Sequence, residues 1–240
     1  MSLYVGTSGW AYKKWKPGFY PEGVPRSRWL EHYASKLPAC EINATFYRLQ
    51  SPVTMTRWAR STPDEFRFAI KAHRRLTHAR SLALDEGRAA FLNSFLATLA
   101  PLGPRLGALL FQLPPTRSRD DAALGSLLER LPATPPAAFE FRHPSWDSPE
   151  VAALLAEHGA TLCRADSTGD IAALPEGRIS YLRMRAESYT AEQQESILEL
   201  LRAQAENKDV YVFTKHEGVD PRVTSSGVGL AARFRAEVTA

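Results

Sequence analysis

Residues 107–142 read GALLFQ LPPTRSR DDAALGSLLERL PATPP AAFEFR. The run 107–112 is apolar until Gln112 and predicts a strand. The segment 120–131 opens on two aspartates and stops at Pro132, which predicts a helix. The run 138–142 alternates, with Phe139 and Phe141 on one face and Glu140 and Arg142 on the other, and predicts a second strand. A strand, a helix and a strand in this order form a βαβ unit, whose two strands run parallel.

The same alternation extends in both directions. Further strands are predicted at 3–7, 40–43, 66–71, 161–166, 179–184 and 209–214, making eight. Helices are predicted at 26–37 before Pro38, at 54–60 after Pro52, and at 85–100 before Pro101. Another spans 149–158, with Ser148 as N-cap, Pro149 in the first turn and Gly159 as C-cap. The segment 191–206 follows Thr190 as a cap. The helices after the sixth and eighth strands are weak: 169–177 holds only a short apolar stretch, and 228–238 is poorly patterned. Eight β-then-α units in 240 residues predict an α/β fold, a single-domain (β/α)8 TIM barrel over 1–240. An open doubly wound sheet is the alternative, but no Gly-rich dinucleotide fingerprint opens the first helix. The Pro-rich 131–136 reads as a βα-type connection rather than a domain boundary.

Composition narrows the class. Hydrophobic residues make up 44% and charged residues 23%, which excludes a disordered tail, a collagen repeat and a disulfide-stapled miniprotein. Cys40 and Cys163 lie in apolar strands and are expected as buried free thiols, with no zinc-type spacing. No leader pattern and no membrane-length apolar run are seen, so a cytoplasmic protein without a membrane partner is expected. The net charge is +4, yet residues 1–80 carry 14 basic and 5 acidic side chains, a hint of an anionic partner.

In a barrel, catalytic groups gather at the carboxyl ends of the strands. There the sequence places Glu41 and Asn43, Lys71, Gln112, Glu140 with Arg142 and His143, Asp166, and Arg183 on one face with Tyr181 and Arg185. Trp10 and Tyr47 follow the first and second strands. Charged residues inside strands are costly unless paired or facing water. One reading is therefore a buried ion-pair lattice, Glu140 with Arg142 and Glu41 with Lys71. The other is a ligand site. Its cations, Lys71, Arg142 and Arg183 with Arg74, Arg185 and Lys215 as further candidates, outnumber Glu41, Glu140 and Asp166. That balance favours a phosphate or carboxylate over a di-metal centre. His73, His143 and His216 are the only hint of a metal, and no metal or cofactor is expected. In the leading reading Lys71, Arg142 and Arg183 hold a small phosphate-bearing anion. Glu140 or Glu41 acts as general base or acid beside His143, and Asn43 and Gln112 orient the ligand for hydrolysis; the alternative is a sensor that binds without turnover.

Two alternatives remain, one on another part of the chain and one on the same carboxylates. Four of the five tryptophans lie in the first sixty positions, and the loop 9–24 interleaves aromatics with Lys13, Lys14 and Lys16. Such a loop stacks nucleic-acid bases, or else packs its rings as a plug over the barrel. Glu41 and Glu140 could also form a glycosidase pair, against which the cation excess argues.

The order of motifs resembles the YecE-like family. They are Val5-Gly6-Thr7-Ser8-Gly9-Trp10 with Tyr12, Trp15 and Phe19-Tyr20-Pro21; Glu41-Ile42-Asn43 with Thr45-Phe46-Tyr47; Lys71 with Thr77-His78; Gln112-Leu113-Pro114-Pro115; and Glu140-Phe141-Arg142-His143 with Ser145-Trp146. The resemblance implies a TIM barrel and, because that bacterial and archaeal family has no established activity, no reaction. It weakens near the C-terminus. Met184-Arg185-Ala186 stands where a His-Gly pair is usual, and Lys215-His216-Glu217 where an Asn-rich turn is usual.

Overall fold

The computed structural model describes residues 2–215 and 220–239; His216 lies outside them. Nine short strands make one sheet in the order β6-β5-β4-β3-β2-β1-β9-β8-β7, with every pairing parallel. They are β1 (Leu3–Ser8), β2 (Ala39–Ile42), β3 (Arg67–Lys71), β4 (Leu106–Gln112), β5 (Ala137–Glu140), β6 (Thr161–Leu162), β7 (Arg164–Asp166), β8 (Ser180–Met184) and β9 (Val210–Thr214). The segment predicted as the sixth strand is broken at Cys163. Its first half pairs with β5 and its second with β8, so this one segment joins the two ends of the curved sheet. The result is the (β/α)8 barrel rather than the open sheet, and no described helix is long and apolar enough to cross a membrane.

The helices are α1 (Trp29–Ala34), α2 (Pro52–Arg60), α3 (Arg74–Thr77), α4 (Glu86–Leu99), α5 (Asp121–Leu128), α6 (Pro149–Glu157), α7 (Ala191–Ala205) and α8 (Gly227–Thr239). Local chemistry sets their ends. Asp85, Asp120 and Thr190 accept N-terminal N–H groups, and Thr190 forms a reciprocal capping box with Gln193. Ser148 does not cap α6. Its hydroxyl turns instead to Glu150 and accepts from Arg119, and Pro149 alone presets the first turn. The helix expected from residue 26 begins as a 3-10 turn, Arg26–Arg28. The Pro-rich 131–136 joins a helix to a strand, the reverse of the βα connection expected. The last helix, expected to be weak, is regular over 13 residues, because Val228, Leu230, Ala231 and Phe234 are buried. After β7 there is no helix before β8.

Outward-facing Ile42, Phe68, Ile70, Phe111, Phe139 and Val212 share the main core with the helices. The barrel interior is filled unevenly. Strands β2 to β5 contribute Ala39, Ala69, Ala108 and Ala138 together with Leu110, while β8 and β9 contribute Tyr181, Tyr211 and Phe213. The aromatic loop after β1 is packed rather than presented. Trp15 and Tyr20 are buried, and Tyr20 stacks on Trp29 at 4.7 Å. These two rings are therefore closed to incoming bases, leaving Lys13 and Lys14 exposed on the loop. Cys40 and Cys163 are buried free thiols.

Candidate functional site

The carboxyl ends of β2, β5 and β8 bring Glu41, Glu140 and Arg183 together inside the barrel mouth, where all three are buried. Arg183 donates Nε to Glu41 Oε2 at 2.9 Å and Nη2 to Glu41 Oε1 at 2.8 Å. Its Nη1 donates to Glu140 Oε2 at 2.5 Å. One guanidinium thus lies between two carboxylates and engages both. Glu41 also accepts from Ser8 Oγ at 2.7 Å, from Tyr181 across the barrel at 2.9 Å, and from Arg185 at 3.3 Å. Burial alone would push the Glu41 carboxyl up, but Arg183 and Arg185 outweigh it and hold the group well below the usual carboxylate range. Burial likewise opposes ionisation of Glu140, and Arg183, Gln112 and Arg142 overcome it.

The pairing differs from the lattice expected from sequence. Arg142 does reach Glu140, at 3.0 Å, but Glu41 pairs with Arg183 and Arg185 instead of Lys71. Lys71 Nζ donates to the neutral amide oxygen of Gln112 at 2.6 Å and lies 4.3 Å from the centroid of the Phe46 ring. Gln112 passes the link on, its Nε2 donating to Glu140 Oε1 at 2.7 Å. Burial, followed by the charge on Arg183, lowers Lys71 to about 8. Among the described residues no ion pair forms on Lys71 or Lys215.

Above this network opens a cavity of about 440 Å³. Lys71, Arg142, Arg183, Arg185 and Lys215 line it, with Asn43, Gln112 and the 70% exposed Tyr47. Asn43 donates to Glu41 at 3.3 Å, while its side-chain oxygen is buried without a partner. Among the described residues the lining carries five cations and no carboxylate; Glu41 and Glu140, buried in the adjoining network, are both engaged by Arg183.

Several expected members are elsewhere. His143 accepts from Ser145 N at the start of a 3-10 turn, and it lines a neighbouring cleft with Trp146 and Arg164. Asp166 accepts from the backbone of Thr168 and Gly169 and from Tyr189, holding the helix-free loop after β7; it does not line the mouth cavity. Trp10 meets Trp58 edge to face at 5.0 Å, in an adjoining apolar cavity that shares Tyr12, Asn43 and Ala44 with the mouth. His73 caps α3, and Arg74 lies away from the cavity lining. Among the described residues no three His, Cys, Asp or Glu side chains cluster in a way that could hold a metal. Arg185, which the alternation of β8 had put on the face of Arg183, belongs to the network. Ser8 and Tyr181 also belong. They carry no charge, and only their strand parity could have pointed to them.

Known proteins share this frame. A family model described as a protein of unknown function, DUF72, matches residues 4–239. The UPF0759 protein YecE of Escherichia coli (strain K12) is 32% identical over 145 residues, covering 60% of this chain and 50% of that protein. The UPF0759 protein YunF of Bacillus subtilis (strain 168) is 29% identical over 152 residues, covering 61% and 53%. The chain thus matches about half the length of these two relatives. The crystal structure of a DUF72 family protein from Thermotoga maritima superposes with a TM-score of 0.78 at 23% identity, covering 100% of both chains. D-psicose 3-epimerase from Clostridium cellulolyticum, solved with D-tagatose, superposes with a TM-score of 0.54 at 11% identity, covering 98% of this chain and 90% of that one; the likeness is one of fold. The resemblance to YecE-like proteins is accordingly one of kinship, and the chain belongs to the DUF72 family.

Proposed function

We propose that the barrel mouth binds a small, phosphate-bearing anion. One observation carries this reading: among the described residues five cations and no carboxylate line the cavity, and the two carboxylates of the adjoining network, Glu41 and Glu140, are both engaged by Arg183. Arg183 is framework, since its Nε, Nη1 and Nη2 all bond carboxylates. Arg142, 45% exposed and held by Nε alone, and Lys71, bonded to a neutral amide, are the groups placed to meet the ligand. A glycosidase pair is disfavoured because Arg183 fills the space between the two carboxylates.

Hydrolysis, if it follows binding, has a narrowed cast. Glu41 and Glu140 are both held ionised, so neither is a proton donor near neutral pH. Either remains a base candidate, though both are buried and neither is among the residues lining the cavity. Isothermal titration with inorganic phosphate and pyrophosphate tests the binding. Arg142→Ala and Lys71→Met should each weaken it about tenfold or more, as expected for losing one charge-assisted hydrogen bond. Lys14→Ala, on the exposed loop, should leave it unchanged. Equal affinity in the wild type and in the Arg142→Ala/Lys71→Met double variant sinks the proposal.

A further inference from the structure

We propose that Lys71 is an imine-forming amine, and that the ligand of the mouth is an anionic aldehyde or ketone whose carbonyl condenses with its Nζ. This rests on the anion-binding reading and adds the reacting group. Lysines are rarely withdrawn from water without a carboxylate partner. Lys71 is partly buried at the end of β3, lines the cavity, and is held by an amide oxygen and a ring face rather than by an acid. The two acids nearest in the network are already engaged by arginines. Gln112 is the positioning residue: its oxygen fixes Nζ, and its amide group is fixed in turn by Glu140.

The charges around Nζ keep the amine available. Arg183 from β8 and Arg142 beyond β5 oppose protonation, Glu41 and Glu140 favour it, and His78 after α3 also senses the lysine. With burial added, Lys71 comes to about 8. At pH 7 roughly one Lys71 amine in ten is then neutral, against about one in 2,500 for an ordinary lysine. A desolvated amine beside other cations is a recognised way to make lysine nucleophilic. The step balances without a co-reactant. The Nζ lone pair forms a bond to the carbonyl carbon, the carbonyl oxygen takes a proton, and the carbinolamine loses that oxygen as water to leave the imine. The anionic end of the ligand remains with Arg142.

The test treats the full chain at pH 7 with glyceraldehyde 3-phosphate or pyruvate, and then with sodium borohydride to reduce any imine to a stable amine. Peptide mass spectrometry locates the adduct. One adduct at Lys71 is expected, absent in Lys71→Arg, which keeps the positive charge, and suppressed by inorganic phosphate in the wild type. Adducts scattered over exposed lysines with Lys71 unmodified overturn the proposal. If titration shows inorganic phosphate binding while Lys71 stays unmodified, the imine is refuted and the anion site stands. If Lys71 is modified but phosphate neither binds nor protects, the amine is reactive and the anionic ligand is refuted.

Discussion

Arg183 shows how much one side chain can organise. Its guanidinium bonds Glu41 twice and Glu140 once, with all three residues buried. Strand parity put these residues on the inner face, but parity cannot say which side chains meet across a barrel. Parity leaves open a Glu41–Lys71 pair between neighbouring strands, whereas the longer, forked arginine on β8 reaches across to that carboxylate. Removing the guanidinium leaves Glu41 with only the 3.3 Å contact to Arg185 and Glu140 with only the half-exposed Arg142 as cationic partners, so Arg183→Met should cost about 3 kcal/mol in urea unfolding at pH 7. The cost should depend on pH. In the wild type the two carboxyls sit below their ordinary value, near 4.3, so their stabilisation is complete above it and is lost as pH falls through the lowered values. In Arg183→Met burial is opposed chiefly by Arg185 at Glu41 and by Gln112 and Arg142 at Glu140, so both carboxyls rise relative to the wild type and acid costs the variant less. The stability gap should therefore narrow below pH about 4. A gap that stays constant with pH would mean that the arginine does not stabilise these carboxylates.

Elements were more legible than contacts. All eight expected strands exist with ends within about two residues, because buried parallel strands read as short apolar runs between turn signals. The break at Cys163 had no such signal: the 161–166 run stays strand-like while its pairing passes from β5 to β8. Helix α8 was under-read because two glycines and two arginines among its first nine residues blur its apolar face, while its burial is decided by packing on the barrel. Gly6 ties local geometry to this packing. A Cβ there would lie 1.9 Å from the carbonyl oxygen of Ala39, on the neighbouring strand. It would also come within 3.0 Å of the Tyr33 hydroxyl, which donates to Ala39 O and accepts from Thr7 N, each at 2.8 Å. Gly6→Ala must therefore part β1 from β2 or displace α1. It should destabilise the chain by about 3 kcal/mol, the upper end for overpacking by one methyl. Hydrogen exchange should accelerate first at Thr7 and Cys40. Unchanged protection at those amides would show that the contact relaxes without loosening the pairing.

Across the whole molecule, the barrel redistributes what the sequence keeps apart. The basic excess of residues 1–80 hints at an anionic partner, yet that third does not build the cationic mouth. Only Lys71 of that segment is among the five cations lining the cavity; Arg142, Arg183, Arg185 and Lys215 come from the part where acids predominate. A charge count by segment fails here because a barrel draws one strand end from each part of the chain. The interior below the mouth follows the same logic. Small residues on β2 to β5 face rings from β8 and β9, and the Tyr211 hydroxyl donates to Gly107 O at 3.2 Å, from β9 to β4. No stretch of sequence reveals this division, since alanine is common throughout the chain and its meaning comes from the ring opposite. The division makes alanine unequal by position. Ala108→Leu adds volume where the rings already occupy the space, and should cost about 1–3 kcal/mol. Ala122→Leu, on the exposed side of α5, should change stability by less than about 0.5 kcal/mol. Thermal unfolding of the two variants compares the positions directly. If Ala108→Leu were tolerated as well as Ala122→Leu, the aromatic side chains of β8 and β9 would not be what fills the barrel.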